Sequence, residues 1–479
     1  MPYPRPRKLR EAEEPQAVGA THSTDEMRES AGREGDAEET VFSGEQRNCT
    51  GGTETLSTGL ERIRQLAQEK PERKLQTLMH HVNEETLKAA HQAQKTGKAA
   101  GVDHETKISY GENLQENLVN LVERMKTFSY RPQPVRRTYI PKGEGKLRPL
   151  GIPAYEDKLV QSVMADILSA IYEPKFYDFS YGYREGKSCH DAVKVLVRNL
   201  QWQTNWVVDA DIKGFFDKAD HDWMMRFLEH DIADKNFLRY IKRFMKSGVM
   251  EQGELEETDK GVPQGGLVSP VMANVYLHYA LDMWFDKVVR KQCRGSASMV
   301  RYADDVVFCF YCRADAERFY GSLKQRLAKF GLELSENKTR IIPFGREAGK
   351  RASIFDFLGF TFYGGESRKG TFTVKLQTSK KKLKGKRQAV KAWLRENMHM
   401  PVAQLIEKLN QKLRGHYNYY GVTHNAKKMV DFYQYVKWQL LRTLKRRSQR
   451  DKTNWEKLNR ILKLFPLLTP RIRVNIWER

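Results

Sequence analysis

The sequence predicts an α+β fold: an antiparallel sheet set among helices and followed by an all-helical, strongly basic region. Three observations carry this. Met299-Val300-Arg301-Tyr302-Ala303-Asp304-Asp305-Val306-Val307-Phe308-Cys309-Phe310 places two adjacent acids between β-favouring apolar runs, the pattern of a hairpin with a tight acidic turn. In Trp206-Val207-Val208-Asp209-Ala210-Asp211-Ile212, alternation puts Asp209 and Asp211 on one face of a strand and Val208, Ala210 and Ile212 on the other. Elsewhere apolar residues recur at helical spacing, from Leu60 through to the aromatic-rich segments near the C-terminus.

Unpaired acids on such a sheet repel one another and lose hydration, so a divalent cation is their natural balance. A solvated turn is the alternative for Tyr302-Ala303-Asp304-Asp305 taken alone. Asp211 decides between them, because acids contributed by separated segments suit a two-metal phosphoryl-transfer site, and the separation is far too long for a local calcium loop.

Composition narrows the partners. A chain of 479 residues with 40% hydrophobic residues can bury two or three cores. Its formal charge of +23 points to a polyanion. Nucleic acid is favoured over a membrane, since no apolar run approaches the roughly 20 residues a spanning helix needs; a basic surface that is merely solubilising is the bland alternative. The five cysteines, Cys49, Cys189, Cys293, Cys309 and Cys312, are scattered. Cys309-x-x-Cys312 lacks the second pair of a zinc site, and strand alternation accounts for Cys309, so a reducing, intracellular setting is the default.

Along the chain, residues 1–58 are rich in Glu, Gly, Ser, Thr and Arg and read as a disordered extension. Helical spacing begins at Leu60, Ile63 and Leu66 and resumes at Leu75, Leu78, Val82 and Leu87. Thr96 to Asp103 fits a loop. Tyr139 to Leu150 reads as a strand, a Gly-rich turn and a second strand. Leu159 to Ile171 is expected as an amphipathic helix. Gly261-Val262-Pro263-Gln264-Gly265-Gly266-Leu267 can be neither helix nor strand and is a loop that lets backbone approach a ligand, before Pro270 opens an apolar helix. Ala316 to Phe330 is again amphipathic. From Lys380 to Arg395 eight basic residues occur with no acid, followed by helices that interleave aromatics with cations. A charge run is usually a solvated face, but cations with aromatics suit structured RNA, where phosphate contact and stacking both matter.

Five ordered motifs carry a resemblance: Lys142-Gly-Glu-Gly-Lys-Leu-Arg-Pro-Leu-Gly-Ile-Pro153, Phe179-Ser-Tyr-Gly-Tyr-Arg-Glu-Gly-Lys-Ser188, Asp211-Ile-Lys-Gly-Phe-Phe-Asp217, Gly261-Val-Pro-Gln-Gly-Gly-Leu-Val-Ser-Pro270 and Tyr302-Ala-Asp-Asp305. With Leu413-Arg-Gly-His-Tyr-Asn-Tyr-Tyr420 in the tail, the chain from about residue 75 onward resembles a group II intron-encoded reverse transcriptase/maturase.

The resemblance implies a right-hand polymerase, with fingers and palm over residues 59–372 and a helical thumb/maturase domain over 373–479. It implies an RNA-directed DNA polymerase in which Asp211, Asp304 and Asp305 hold two Mg2+ ions. Lys142 and Arg148 would grip the incoming dNTP, with Lys146 either a third grip or a solvated turn residue. Ser180 to Arg184 would support the template, Arg184 pointing toward phosphate or nucleotide. Phe216 would close on the sugar and clash with a ribose 2′-hydroxyl, disfavouring an RNA-dependent RNA polymerase; its alternative is a core aromatic, with Phe215 on the opposite face. Gln264 would touch template or incoming base. Lys338 would protonate the leaving pyrophosphate or act electrostatically, and Phe357-Leu358-Gly359-Phe360 would hold the primer end. The basic run, with Lys381, Lys384 and Arg387, would bind RNA, while His416 and Tyr417 are structural.

Implied partners are the parent intron RNA, an RNA template with a DNA primer, dNTPs and target DNA, in a bacterial cytoplasmic ribonucleoprotein that aids splicing and intron mobility. With no paired Cys-x-x-Cys or His-Asn-His cluster, the resemblance is to the endonuclease-lacking type, expected to borrow its primer instead of cutting DNA. A relative working in host defence or repair stays open. A non-catalytic RNA-binding splicing factor would show substitutions at the metal acids, and all three are present.

Overall fold

Helices dominate the start of the folded chain. The computed structural model describes residues 54–143, 146–257, 259–262, 265–345, 353–367, 369–447 and 453–477. It opens with α1 (Glu54–Glu69), α2 (Glu84–Ala93), α3 (Lys107–Glu112) and α4 (Leu114–Lys126). Residues 1–53, most of the expected extension, lie outside this description. α2 and α3 begin where the sequence offers reciprocal caps: Asn83 accepts from the Thr86 N–H and Thr106 from the Ser109 N–H, and each partner side chain returns the bond.

The predicted hairpin forms as β1 (Val135–Gly143) and β2 (Lys146–Ile152), antiparallel along their length. α5 (Tyr155–Tyr172) follows. The expectation of an amphipathic helix is corrected here: α5 is buried on nearly every side, Leu159, Ile167, Ile171 and Tyr172 completely. Its periodicity is weak because α1 and α2 pack on one side and later elements on another, leaving no solvent face to encode. The loop before it, residues 96–103, lies on the α5 start: Asp103 accepts from the Tyr155 N–H at 2.7 Å, and a Cβ at Gly101 would meet the Pro153–Ala154 backbone at 2.6 Å.

The central segment runs α6 (Cys189–Trp202), β3 (Trp206–Asp211), the single turn α7 (Phe215–Lys218), α8 (His221–Asp231), α9 (Lys235–Met245), β4 (Val249–Glu251), β5 (Glu254–Glu256) and α10 (Ser269–Leu277). α10 carries the expected proline in its first turn and continues through two π-helical turns, His278–Asp282 and Phe285–Val289, into α11 (Arg290–Gln292). Then come β6 (Ala297–Tyr302), β7 (Asp305–Phe310), α12 (Arg313–Lys329), β8 (Arg340–Pro343), β9 (Phe355–Phe357), β10 (Phe360–Glu366) and β11 (Phe372–Thr378). The chain closes with α13 (Lys380–Glu396), α14 (Val402–Tyr420), α15 (Ala426–Lys445) and α16 (Trp455–Leu464).

Among the described residues the strands form three sheets, ordered β2-β1-β4-β5, β6-β7-β3-β8 and β11-β10-β9. The second positions the site. On one face Val208, Ala210, Met299, Val306 and Phe308 join a core with α5, α8, α9, α10 and α12. On the other, Val207, Val300, Val307, Cys309 and Ile342 join a second core with α6, β9, β10, β11 and the C-terminal helices. Each fully buried large apolar side chain stabilises by about 1.5–3 kcal/mol, so this sheet is clamped from both sides. The expected boundary near residue 372 falls where β11 begins, inside one sheet and one core.

Candidate active site

Register brings the acids together. β3 and β7 are antiparallel with Asp211 directly opposite Asp305, and β6 returns from β7 through Ala303 and Asp304, with Tyr302 opposite Asp305. Ala303 has φ +55°, a left-handed conformation costing on the order of 1 kcal/mol or more that persists only where the surroundings impose it. Asp209 shares the Asp211 face, as alternation predicts, but stands opposite Arg340 in β8, 3.7 Å from its guanidinium.

Solvent reaches Asp305 from the cleft, yet protein crowds it on the remaining sides. That partial burial, followed by the charges of Asp304, Asp211 and Asp209, pushes its carboxyl up to about 7. Burial likewise lifts Asp209 to about 6, against the opposing pull of Arg340. Lys338 is brought in by the segment after α12: the Ser335 N–H donates to the Asp211 carbonyl, and the Lys338 Nζ donates to both Asp211 carboxylate oxygens, at 2.9 and 3.1 Å. The site thus combines hard oxygen donors, negative charge in excess and one ammonium on the carboxylate facing the others. That donor chemistry fits a divalent cation such as Mg2+. Among the described residues no three ligating side chains converge on one ion as they stand, and Asp211 is paired with Lys338 at 2.9 Å.

Behind the turn lies a residue that sequence reasoning missed. Arg301 has no exposure. Its Nε donates to Asp282 Oδ1 at 2.9 Å and its Nη2 to Asp282 Oδ2 at 2.5 Å; its Nη1 donates to Asn274 Oδ1 at 2.9 Å and to the Ala303 carbonyl at 3.0 Å. A charge inside an apolar alternation was the available signal. The Phe179-Ser180-Tyr181 stretch adds to the outer edge of β6, the Arg301 N–H donating to the Phe179 carbonyl and the Tyr181 N–H to the Arg301 carbonyl, both at 2.8 Å. A Cβ at Gly182 would sit 2.3 Å from the Ala303 nitrogen, so only glycine lets this segment reach the turn.

Arg184 is a correction. It does not point toward a ligand: its guanidinium is buried against Glu173 at 2.7 Å and donates to the Tyr177 and Ser180 carbonyls, both at 2.6 Å. The exposed member of the segment is Tyr183, 43% exposed and at φ +57°. Surrounding protein and then the Asp304 charge push its hydroxyl up, with Arg148 opposing and Asp305 adding. The Lys142 and Lys146 side chains, and Gln264 altogether, lie outside the described residues. The loop around Gly265 does reach the hairpin, at the end of β2 away from its turn: a Cβ at Gly265 would meet the Gly151 carbonyl at 2.4 Å.

Phe216 is 8% exposed, and the expectation that Phe215 takes the opposite face is corrected. β3 ends at Asp211, Gly214 at φ +57° is the N-cap of α7, and both rings stand on α7 in one core, edge to face with centroids 5.4 Å apart. Period two no longer applies once the chain turns helical.

The basic run forms α13. Leu383, Val390 and Leu394 bury its inner face, while Lys381 and Lys384 are exposed. Arg387 differs, half-buried with its guanidinium 5.2 Å from the Tyr435 ring centroid. Nearby, Trp438 and Trp455 are exposed, with Arg442 and Lys437 over their rings at 4.7 and 5.7 Å. His416 and Tyr417 are buried in the second core, the His416 ring 4.2 Å from Phe432. Tyr419 and Tyr420 explain the aromatic motif. The Tyr419 hydroxyl donates to the Leu358 carbonyl at 2.9 Å, and the Tyr420 hydroxyl lies 2.8 Å from where a Gly359 Cβ would be, so α14 braces the β9–β10 turn.

Fold and site define a class: a mixed α/β protein whose sheet presents opposed aspartates beside a basic helical region, the class of the reverse transcriptases. Residues 140–362 match the family described as "Reverse transcriptase (RNA-dependent DNA polymerase)", and residues 383–461 match the "Group II intron, maturase-specific domain". The chain is 41% identical over 180 residues to the group II intron-encoded protein LtrA of Lactococcus lactis, a match spanning 36% of this chain but 30% of LtrA. It is 31% identical over 314 residues to protein YkfC of Escherichia coli, covering 58% of this chain and 80% of that one. A 91 kDa protein in the cob intron of Schizosaccharomyces pombe is 27% identical over 460 residues, covering 74% of this chain and 54% of that protein. The chain belongs to the group II intron-encoded reverse transcriptase/maturase family. Among the described residues no helix is long and apolar enough to cross a membrane.

Proposed function

We propose that this protein is an RNA-directed DNA polymerase that also binds its group II intron RNA and assists the splicing and mobility of that RNA within a cytoplasmic ribonucleoprotein. The observation that carries the reading is the register of Asp211 against Asp305 at the Asp304 turn, in a chain that matches both family descriptions. In this reading the β1–β2 hairpin and the helices before it are the fingers, the β6-β7-β3-β8 sheet is the palm, and α13 to α16 form the thumb and maturase domain.

Asp211, Asp304 and Asp305 would hold two Mg2+ ions, which when bound activate the primer 3′-oxygen and steady the leaving pyrophosphate. The chain's own residues do the rest. Arg148 and Lys142 grip the triphosphate, Gln264 meets template or base, and Phe216 walls the sugar. Lys338, paired with Asp211 at 2.9 Å, neutralises that carboxylate and is the group that would protonate the leaving pyrophosphate. The Lys381 and Lys384 face contacts RNA phosphates, and the exposed Trp438 and Trp455 of the same region offer stacking surfaces. Target DNA supplies the primer.

The test is primer extension on a defined RNA template with dNTPs. Wild-type protein extends the primer and Asp304→Ala does not, while RNA affinity stays the same; equal extension by the two proteins sinks the two-metal reading.

A further inference from the structure

We propose that Arg301 is a positioning residue of the active site, holding the Ala303 carbonyl inward so that the Asp304–Asp305 turn stays in its metal-receiving conformation. The inference rests on the polymerase reading above and goes beyond it by assigning a role to a buried cation outside the acid set.

The Arg301 guanidinium joins three segments: Nη1 donates to Asn274 and Ala303, while Nε and Nη2 hold Asp282. Asp282 comes from the first π-helical turn after α10, Asn274 from α10 itself, and Ala303 from the turn. Asn274 in turn donates from Nδ2 to the Gly182 carbonyl at 2.6 Å, while Gly182 presses on the Ala303 nitrogen from the other side. The left-handed Ala303 is therefore held at its carbonyl by a guanidinium, with the Gly182 backbone lying close against its nitrogen.

Energetics separate this from a stabilising ion pair. Taking an arginine and an aspartate wholly out of water costs several kcal/mol per ion, and a well-packed apolar pair would join α10 to the sheet as well or better. An apolar pair could not supply a directed donor to the Ala303 carbonyl. The π-helical turn at Asp282 is also a local departure that regular α-helix would avoid, of the kind that recurs at functional sites. Flipping the Ala303–Asp304 peptide would break the Arg301 bond and change the backbone conformation that aims Asp304.

The experiment uses Arg301→Lys, which keeps the charge against Asp282 but cannot span to Asn274 and Ala303, and Asn274→Ala, which leaves the Arg301–Asp282 pair in place. For each full-length protein the readouts are terbium luminescence titration without nucleic acid, the Mg2+ concentration at half-maximal extension, the melting temperature and RNA affinity. We expect terbium affinity to fall and the Mg2+ midpoint to rise on the order of 10–100-fold in Arg301→Lys, the range for losing a group that orients metal ligands, with a smaller shift in Asn274→Ala. RNA affinity is expected to hold. Wild-type terbium and Mg2+ dependence in either folded variant overturns the proposal, whatever happens to the melting temperature; if Arg301→Lys does not fold, Asn274→Ala alone decides. Failure of the polymerase reading would appear differently, as no extension by the wild type, and the terbium titration would still report on Arg301.

Discussion

The acid end of the central sheet and the basic helix α13 carry opposite charges and are built in opposite ways. Asp211 and Asp305 stand on strands clamped between two cores, and their turn is held by an arginine with no exposure. Lys381 and Lys384 stand on the outer face of a helix whose inner face buries Leu383, Val390 and Leu394. Where bonds form and break, positions must be held closely, so function concentrates in a few irreplaceable groups. Where a flexible polyanion is gripped, cations act nearly additively and each matters little.

If the contrast is wrong, it fails first at the acids. Asp304→Ala and Asp211→Ala are each expected to abolish primer extension with RNA affinity intact, the most severe outcome available from one substitution. Parallel loss of RNA binding in a filter assay would mean the two regions are not separate.

Phe216 probes the same closely held region one step from the acids. Removing a steric clash with a 2′-hydroxyl should be worth about 10- to 100-fold in selectivity, the scale for one or two methylene-sized changes in a pocket. Phe216→Val is therefore expected to raise the ratio of ribonucleotide to deoxynucleotide incorporation by that amount. It should also lower the melting temperature, because the ring packs against Phe215. A lower melting temperature with an unchanged ratio would make Phe216 a core residue only.

At the distributed end, Lys381→Glu with Lys384→Glu should weaken binding to structured RNA and reduce the slope of log affinity against log salt by roughly 2, near 0.9 for each phosphate no longer neutralised. Stability should not change. Arg387→Glu is expected to behave otherwise, lowering the melting temperature because its guanidinium no longer covers the Tyr435 ring, as well as weakening RNA binding. If all three behave alike, α13 is a uniform solvated face.

The subtlest expectation is a difference in sign with pH. Asp305 keeps its proton up to about 7 in the fold but loses it near 3.8 when unfolded, so its contribution to stability is lost as pH rises through that window. His416, buried in the second core, is pulled down to about 3, so its contribution is present above 6.5 and lost as pH falls from there toward 3. Without divalent metal, Asp305→Asn should raise the melting temperature at pH 8 but not at pH 3.5. The shift should be a few degrees at most, since about 1 kcal/mol moves the midpoint by roughly 2–4 °C in larger domains. A rise at both pH values would refer it to packing.

Much of the site was legible in the sequence because its information is local. Period-two alternation put Asp209 and Asp211 on one face, the paired acids between β-formers specified the hairpin, and the acid-free run specified the basic face of α13. Glycine and proline marked the loop before α10. Only the folded chain settles which partner each charged or aromatic side chain meets. Arg184 reads like any motif cation until Glu173 and two carbonyls claim it; Arg301 reads like a misplaced charge until Asp282 and Asn274 close over it; Lys338 finds Asp211 only because the segment after α12 returns to the end of β3. α5 hides its periodicity because neighbours cover it on all sides, and Phe215 and Phe216 share a core because α7 interrupts the strand pattern. The physical reason is the same in each case: periodicity records which way a side chain faces along its own element, whereas a hydrogen bond or ion pair depends on segments far apart in the chain, whose approach is set by the packing of the two cores.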